Sequence, residues 1–309
     1  MSLARATFLE RFSTLDVTIA EPYVQDGALN EVQRNARARL IRNGLAVVGF
    51  AFLEDFVRQR AAEILASISA SAVPFSDLPE KVKEACTFGL LKAMQVRANL
   101  QPDAAAKIAF SQDHARLLAS TASSPYQLSD ITFGYKSSNI GSEDVAEILR
   151  SFRIATPWDA VGILASKVGL SSLSLKDSFE NAARRRHRAA HVAGAITPFG
   201  DLMGFINEAK AIAFGFDALL SSALIRIKRR NAAYFGGGSI GGNDVVVTLV
   251  LSEGGRYKER AWGAVRAKAT GTDLNSVTMR AIPRADAAGA ALAILDASGQ
   301  LESWRIPAA

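Results

Sequence analysis

One short run of the chain concentrates the side chains that can do chemistry. From Arg184 to His191 the sequence reads Arg-Arg-Arg-His-Arg-Ala-Ala-His, so four arginines and two of the three histidines fall within eight residues. A guanidinium holds phosphate through a planar fork of donors and keeps its charge. An imidazole exchanges a proton near neutral pH. Phosphate binding combined with proton transfer is what metal-free cleavage of RNA would need.

A helical wheel separates these side chains into two groups. At about 100° per residue, the apolar positions form one stripe: Leu175, Phe179, Ala182, Ala183, Ala190 and Ala193. Arg186 falls in the middle of that stripe. The remaining members fall on the flank and the far side: Arg184, His187, Arg188 and His191. We therefore expect His187, His191 and Arg184 to converge on one surface ligand.

The position of Arg186 requires a partner. An unpaired charge on a packing face costs several kcal/mol, so Arg186 needs an acidic side chain or a phosphate. Glu54 and Asp55, beside the apolar stretch of the first long helix, are both candidates. Arginine-rich helix surfaces are usually solvated faces, so this unusual position, and not the charge alone, favours a functional site.

Helical periodicity dominates the first 230 residues. Helices are predicted at 30–67, 79–94, 103–120, 142–152, 158–168, 174–193 and 197–230. Ser174 lies three residues before Asp177, which resembles a capping box at the start of the helix that carries the Arg/His run. Thr197 and Pro198 are a typical start for the helix that follows.

The periodicity changes to two after a glycine-rich stretch at 236–242, which we interpret as a flexible linker. Two hairpins are predicted, one with its turn at 253–256 and one with its turn at 297–300. Trp262 and Tyr257 on the first hairpin can stack on bases, although packing in the core or at the sheet edge is favoured. The sequence thus predicts a mainly α fold with a helical domain at 1–232 and a small β-rich module at 243–309.

Charge and cysteine content narrow the classes of function. The formal net charge is +6, and residues 181–230 alone hold nine Lys and Arg against three Asp and Glu. The basic excess is therefore local, which suits a focused anionic partner. The single cysteine, Cys86, excludes an internal disulfide and suits a reducing compartment.

Membrane and metal chemistry are not indicated by the sequence. No signal-peptide pattern opens the chain, and the longest apolar run, 44–53, is too short to span a bilayer. We expect a cytoplasmic protein without a membrane partner. No Cys/His cluster has zinc spacing, so we expect neither a metal nor a cofactor. His114 is interpreted as a polar residue on a helix surface.

The segment Arg186-His187-Arg188-Ala189-Ala190-His191 fits an R-x4-H pattern with a polar residue directly after the arginine, and it resembles the motif of HEPN domains. The flanking helices are similar too, with a long helix after Pro198. The stretch Phe-Leu-Glu-Asp-Phe-Val-Arg-Gln at 52–59 resembles the first long helix of such domains, which carries an acidic residue. The resemblance covers roughly residues 30–230 and is greatest to the RiboL-PSP-type branch.

The resemblance implies a HEPN-like helical bundle that dimerises with its motif helices facing each other, and a metal-independent RNA endonuclease in the composite cleft. It implies that His191 assists 2′-hydroxyl attack and that Arg186 holds the scissile phosphate or fixes local geometry, with Glu54 in support. His187 stands where Asn is more usual, and it either shares the acid–base work or binds phosphate. The arginines expected to bind substrate are Arg184, Arg185 and Arg188.

The family context further implies a toxin or an antiphage-defence effector with a protein partner or antitoxin. Two alternatives remain open. The chain can be a non-catalytic HEPN dimer that binds RNA or nucleotide. It can also be a structural interaction protein whose basic helix pairs with an acidic partner.

Overall fold

The computed structural model describes residues 2–133, 139–170 and 174–307. Most of this chain is helical, as its periodicity predicts. The helices are α1 (Leu3–Ala20), α2 (Val32–Ser69), α3 (Glu80–Glu84), α4 (Leu90–Ala98), α5 (Ala104–Ser120), α6 (Ser142–Ser151), α7 (Pro157–Lys167), α8 (Leu175–His191), α9 (Phe199–Lys228), α10 (Ala232–Phe235) and α11 (Leu274–Ala288). A π-helical turn at Ala85–Gly89 joins α3 to α4.

Side-chain caps begin two of the predicted helices. The carboxylate of Asp103 accepts the N–H of Ala106 at 2.8 Å, at the start of α5. The hydroxyl of Ser174 accepts the N–H of Asp177 at 3.2 Å, at the start of α8. Each bond satisfies one of the amides that a helix N-terminus leaves without an internal partner.

The C-terminal module is a five-stranded mixed sheet, which confirms a mainly α fold with a small β-rich module. Its strands are β1 (Val247–Glu253), β2 (Arg256–Ala261), β3 (Ala269–Gly271), β4 (Ala291–Leu295) and β5 (Leu301–Arg305). Their spatial order is β3-β2-β1-β4-β5. β1 and β4 are parallel, and the other neighbours are antiparallel. The parallel pair needs a crossover connection, and α11 lies within it.

Both predicted hairpins are present. In the first, Glu253 pairs with Arg256, so the turn consists of Gly254 and Gly255 alone. Both glycines have positive φ, at 61° and 71°, as a two-residue turn between twisted strands requires. The pattern predicts one strand over residues 257–268, but β2 ends at Ala261. Helix α11 is a further difference, since the sequence pattern does not predict it.

The two faces of the sheet pack against different helices. On one face, Val250 and Leu292 form a core cluster with residues of α11, including Val277. On the other, Trp304 of β5 is buried and its ring contacts those of Phe8, Phe56 and Phe214 at 6.0–6.3 Å between centroids. Alternating side chains on each strand therefore join the sheet to α11 and to the long helices.

Contacts divide the described chain into two compact units. The first comprises residues 2–56, Val161–Gly215 and Val246–Pro307, so the β module groups with α1 and α8. The second comprises Val57–Ala160 and Phe216–Val245.

The glycine-rich stretch 236–242 belongs to the second unit and is anchored there. Ile240 is buried and forms a parallel bridge with Ile154. Its amide donates to the carbonyl of Arg153 at 2.9 Å, and its carbonyl accepts the amide of Ala155 at 2.9 Å. The expectation of a freely flexible linker is therefore wrong at Ile240, because one apolar residue among the glycines enters the core.

No helix in the described ranges has both the length and the apolar character that crossing a membrane requires.

Truncation of Trp304 should strongly destabilise the protein. We expect Trp304→Ala to lower the free energy of unfolding by about 3–5 kcal/mol, because it leaves a cavity among three aromatic rings. Urea denaturation measures the loss. The neighbouring variant Arg305→Ala removes an exposed ion pair with Asp286 and should cost at most about 1 kcal/mol. Equal losses in the two variants would contradict this packing.

Candidate functional site

The helix that carries the Arg/His run is buried only over its first half. Leu175, Phe179 and Ala182 are buried, and the ring of Phe179 lies 5.2 Å from that of Phe50 on α2. Ala190, expected on the buried stripe, is exposed, as is Ala193, which lies beyond the helix. The stripe ends early because the last turns of α8 extend beyond the core.

The two histidines are adjacent on the exposed half. His187 and His191 stand one turn apart, both are exposed, and their ring centroids are 4.8 Å from each other. Arg184 and Arg188 are exposed on the same segment, and Arg184 also donates to the side chain of Asn181 at 2.6 Å. The two imidazoles therefore lie side by side on one surface, and their convergence with Arg184 on a ligand stays a prediction. Both rings are open to a ligand from solvent.

Arg186 lies where the buried stripe gives way to the exposed turns. It is half-buried, and its Nε atom is inaccessible to solvent with no hydrogen-bond partner among the described residues. A buried donor without a partner costs about 1–3 kcal/mol. The guanidinium is thus incompletely satisfied within this part of the chain, and it belongs to the residue directly before His187.

Of the two acids expected to pair with Arg186, Asp55 has a different partner. It binds Arg11 of α1, at 2.5 Å. Glu54 is buried.

The way α8 lies on α2 explains why Asp55 does not pair with Arg186. Phe179 contacts Phe50, and Ala195, beyond the end of α8, is bound by Asn43. The two helices therefore run in opposite directions, and position 186 lies between these two contacts along α8, at the level of the part of α2 from Asn43 to Phe50. Residues 54–55 lie outside this part, past Phe50.

Arg185 has a structural role on the other flank of the helix. Its guanidinium lies 3.3 Å from the carboxylate of Asp201 on α9. One further contact joins the same two helices, from the hydroxyl of Ser178 to the carboxylate of Glu208 at 2.8 Å. Of the three arginines expected to bind substrate, Arg185 is therefore engaged with α9, and Arg184 and Arg188 are the exposed ones.

A pair of polar side chains on α2 fixes the turn that follows the Arg/His run. The amide nitrogen of Asn43 donates to the carbonyl of Ala195 at 2.8 Å. Its amide oxygen accepts the N–H of Thr197 at 3.1 Å and the hydroxyl of Thr197 at 2.9 Å. Asn43 thus binds both sides of Ile196, a few residues after His191, and holds the connection between α8 and α9.

Arg42 reinforces this connection from inside the protein. It is only 1% exposed. Its Nε donates to the carbonyl of Thr197 at 2.9 Å and its Nη1 to the carbonyl of Val24 at 2.7 Å. Its Nη2 pairs with the carboxylate of Asp26 at 2.9 Å. One guanidinium therefore ties α2 to the segment after α1 and to the segment after α8.

Sequence reasoning missed Arg42 and Asn43. One signal was present, because the two residues interrupt the apolar pattern of the first long helix just before the run 44–53. A buried polar residue must find partners, but the pattern alone does not say where in the chain those partners lie.

His114 lies in the second unit, on α5. Its Nδ1 atom is 2.9 Å from the hydroxyl of Ser129, and its ring packs 4.4 Å from that of Phe110. Burial lowers the pKa of His114 below its ordinary value. His114 is partly exposed on this helix, and its contacts also join α5 to the turn at Asp130–Thr132.

Among residues 2–133, 139–170 and 174–307, no three His, Cys, Asp or Glu side chains are grouped as metal ligands would be. Comparisons with protein-family models, with curated proteins and with solved structures found nothing that matches the chain.

Loss of the Asn43 amide should loosen the turn after α8. We expect Asn43→Ala to lower the free energy of unfolding by about 1–3 kcal/mol, because it leaves buried backbone groups at 195 and 197 unpaired. Hydrogen exchange of the Thr197 amide should accelerate at the same time. Arg39→Ala, an exposed position on the same helix, is the control. An unchanged exchange rate at Thr197 would show that Asn43 does not hold this turn.

Proposed function

We propose that this protein is a metal-independent RNA endonuclease of the HEPN type. The observation that carries the proposal is that Arg186, half-buried and with no partner for its Nε, lies on the same helix as two exposed imidazoles whose rings are 4.8 Å apart. A phosphate bound by the accessible part of this guanidinium would compensate its charge, and the two imidazoles can move protons near neutral pH. The R-x4-H pattern, with its resemblance to HEPN domains, adds the reaction type.

In the proposed reaction, His191 takes the proton of the 2′-hydroxyl as O2′ attacks the adjacent phosphorus. The bond from phosphorus to the 5′-oxygen breaks, and that oxygen takes a proton from a second acid, for which the neighbouring His187 is the candidate. The products are a 2′,3′-cyclic phosphate and a 5′-hydroxyl. His187 can instead bind the phosphate, in which case the acid comes from another group.

The arginines supply positive charge and position the RNA. Arg186 binds the phosphate oxygens that gain charge in the transition state, where a fixed donor stabilises more than water does. Arg184 and Arg188, both exposed beside the histidines, bind neighbouring phosphates. The resemblance extends the proposal to a cytoplasmic toxin or antiphage-defence effector, with RNA as substrate and an antitoxin or other protein as a partner.

Purified protein should cleave RNA in EDTA and leave 2′,3′-cyclic phosphate ends or their 3′-phosphate hydrolysis products. His191→Ala should lower turnover by about 10²- to 10⁴-fold, the usual contribution of a general acid or base. Gel electrophoresis with end analysis measures both. Activity that is lost in EDTA and restored by magnesium, or 3′-hydroxyl products, would refute the mechanism.

Three further variants separate catalysis from folding. His114→Gln changes the histidine of the second unit and should keep turnover near that of the unmodified protein. Arg186→Lys keeps the charge but loses the planar fork, so it should recover only part of the activity lost in Arg186→Ala. Normal cleavage by His191→Ala would refute the catalytic role of His191. Binding of RNA without cleavage by the unmodified protein would instead favour the non-catalytic RNA-binding alternative.

We infer a symmetric homodimer as the active form. The support is apolar surface at the end of the run, where Val192 is 48% and Ile196 is 55% exposed. Large exposed apolar groups next to a polar site are typical of protein interfaces. A two-fold axis there brings two Arg184–His191 runs together and doubles the histidines in one cationic groove.

Sedimentation velocity should show a dimer at assay concentrations. Ile196→Asp should give a monomer with little activity, because it buries a charge in the interface. The control is Ile108→Asp, a similarly exposed isoleucine on α5, which should leave both properties unchanged. Bound phosphate should strengthen the dimer, and more so at low salt, because it reduces repulsion between the two basic runs. An active monomer would refute the arrangement.

A further inference from the structure

The β module presents an exposed tryptophan in a fixed position. Trp262 directly follows β2, and its side chain is 50% exposed. The ammonium of Lys167, itself a buried residue, lies 5.1 Å from the centre of the indole ring. A cation over the ring holds it in one orientation. The exposed half can therefore bind a partner without a large cost of ordering.

β2 places a row of cations next to this ring. Tyr257 and Glu259 point to the face that α11 covers, where Tyr257 joins the core cluster and Glu259 pairs with Arg284. Since side chains alternate along a strand, the intervening residues Arg256, Lys258 and Arg260 point to the opposite face.

The long helices cover only one end of the sheet face that points away from α11. Leu249 pairs with Arg260 on one side and with Ala293 on the other, and Ala293 pairs with Trp304. Trp304 is buried against the long helices, whereas Arg256, at the other end of β2, is exposed. Exposure of the row therefore increases along β2, from Arg260 and Lys258, whose side chains are 25% and 29% exposed, to the exposed Arg256.

The charge of this row is only partly neutralised. Glu253 accepts hydrogen bonds from Lys258 at 3.0 Å and from Arg260 at 2.6 Å. These two cations lower the pKa of Glu253, with the bond from Lys258 as the largest cause. The Nε atom of Arg260 is buried without a hydrogen-bond partner in the described part of the chain.

The loop after β2 adds further cations. Arg266 and Lys268 are both exposed in the connection to β3. Between residues 256 and 268 the chain holds five Lys and Arg against one acid, Glu259, and that acid is buried and paired with Arg284.

We propose that this β2 surface, formed by Arg256, Lys258, Arg260, Trp262, Arg266 and Lys268, binds single-stranded RNA. The cations contact backbone phosphates, and Trp262 stacks on an unpaired base. As a substrate-binding surface it rests on the proposed function, because the strand bound here is the one cleaved at α8. Its binding property can be measured without cleavage.

Two features favour single-stranded RNA over other anions. The cations of β2 follow one another at steps of about 6.8 Å, twice the rise of an antiparallel strand, and a linear row of this kind suits a polymer with regularly spaced charges. The fixed indole needs a flat partner whose face is free. Bases in a duplex are stacked on each other, whereas unpaired bases stack readily on aromatic side chains.

The test uses the full-length His191→Ala variant, which keeps the RNA intact, and a fluorescently labelled single-stranded RNA of mixed sequence. Anisotropy gives the Kd. Trp262→Leu keeps an apolar side chain but loses the π face, and it should raise the Kd about tenfold. Trp262→Phe should stay close to the unmodified affinity. Tyr23→Ala, an exposed aromatic of the same unit, should have no effect.

A salt titration tests the phosphate contacts. Arg266→Ala with Lys268→Ala should reduce the slope of log Kd against log salt by about 1.4, since each contact to a single strand contributes about 0.7. The matched control is Lys107→Ala with Arg116→Ala, two exposed cations of α5, which should leave the slope unchanged. Duplex RNA of the same length should bind equally to Trp262→Leu and to the Trp262 protein.

Failure of this surface is distinguishable from failure of the proposed function. Equal affinity of Trp262→Leu and the Trp262 protein, with polyglutamate displacing RNA from both, would overturn the proposal and indicate an acidic protein partner. That result would not contradict cleavage of RNA by the unmodified protein. RNA binding that depends on Trp262, without any cleavage by the unmodified protein, would support the β2 surface and refute the nuclease.

Discussion

The buried guanidinium of Arg42 is the constraint on which the candidate site depends. Burial of a charge is costly unless every donor is used, and Arg42 bonds to Val24, Asp26 and Thr197. Those partners belong to segments far apart in the chain, so the cost of burial is recovered only when all three are in place. The turn after α8 is therefore fixed by the same interaction that fixes the segment after α1. Asn43 adds two further constraints on that turn.

The contrast with Arg186 is informative because both arginines lie on packing faces. Arg42 has partners for the donors that face the interior, whereas the Nε of Arg186 lacks one in the described part of the chain. A sequence that agrees with its fold at most positions and departs from it at one place usually does so for function. The turn after α8 is held rigidly, whereas the guanidinium of Arg186 is incompletely satisfied. The candidate site is therefore fixed in position and keeps a cation that can bind a ligand.

The sequence predicted the features that depend on local pattern. Helix α8 starts at its Ser174 cap, both hairpins have their predicted turns, and the two histidines are adjacent because they are four residues apart on a helix. It did not predict how far along α8 the buried contact extends, so it places Ala190 on the buried stripe although this residue is exposed. It also did not predict the bond between Asn43 and Thr197, because those residues are 154 positions apart. Periodicity identifies the apolar side of a helix. How far the buried contact extends along that side depends on the elements that pack against it.

The position of Trp304 has a consequence for the time at which the protein becomes functional. Its ring completes a cluster with Phe8 near the beginning of the chain and with Phe214. During translation, the first unit therefore cannot close its core until β5 has been synthesised, although α1, α2 and α8 are complete much earlier. An emerging chain would hold the Arg/His run on an unsupported helix until that point. If the proposed cleavage of RNA takes place at this run, the delay would protect the ribosome and messenger that produce the protein.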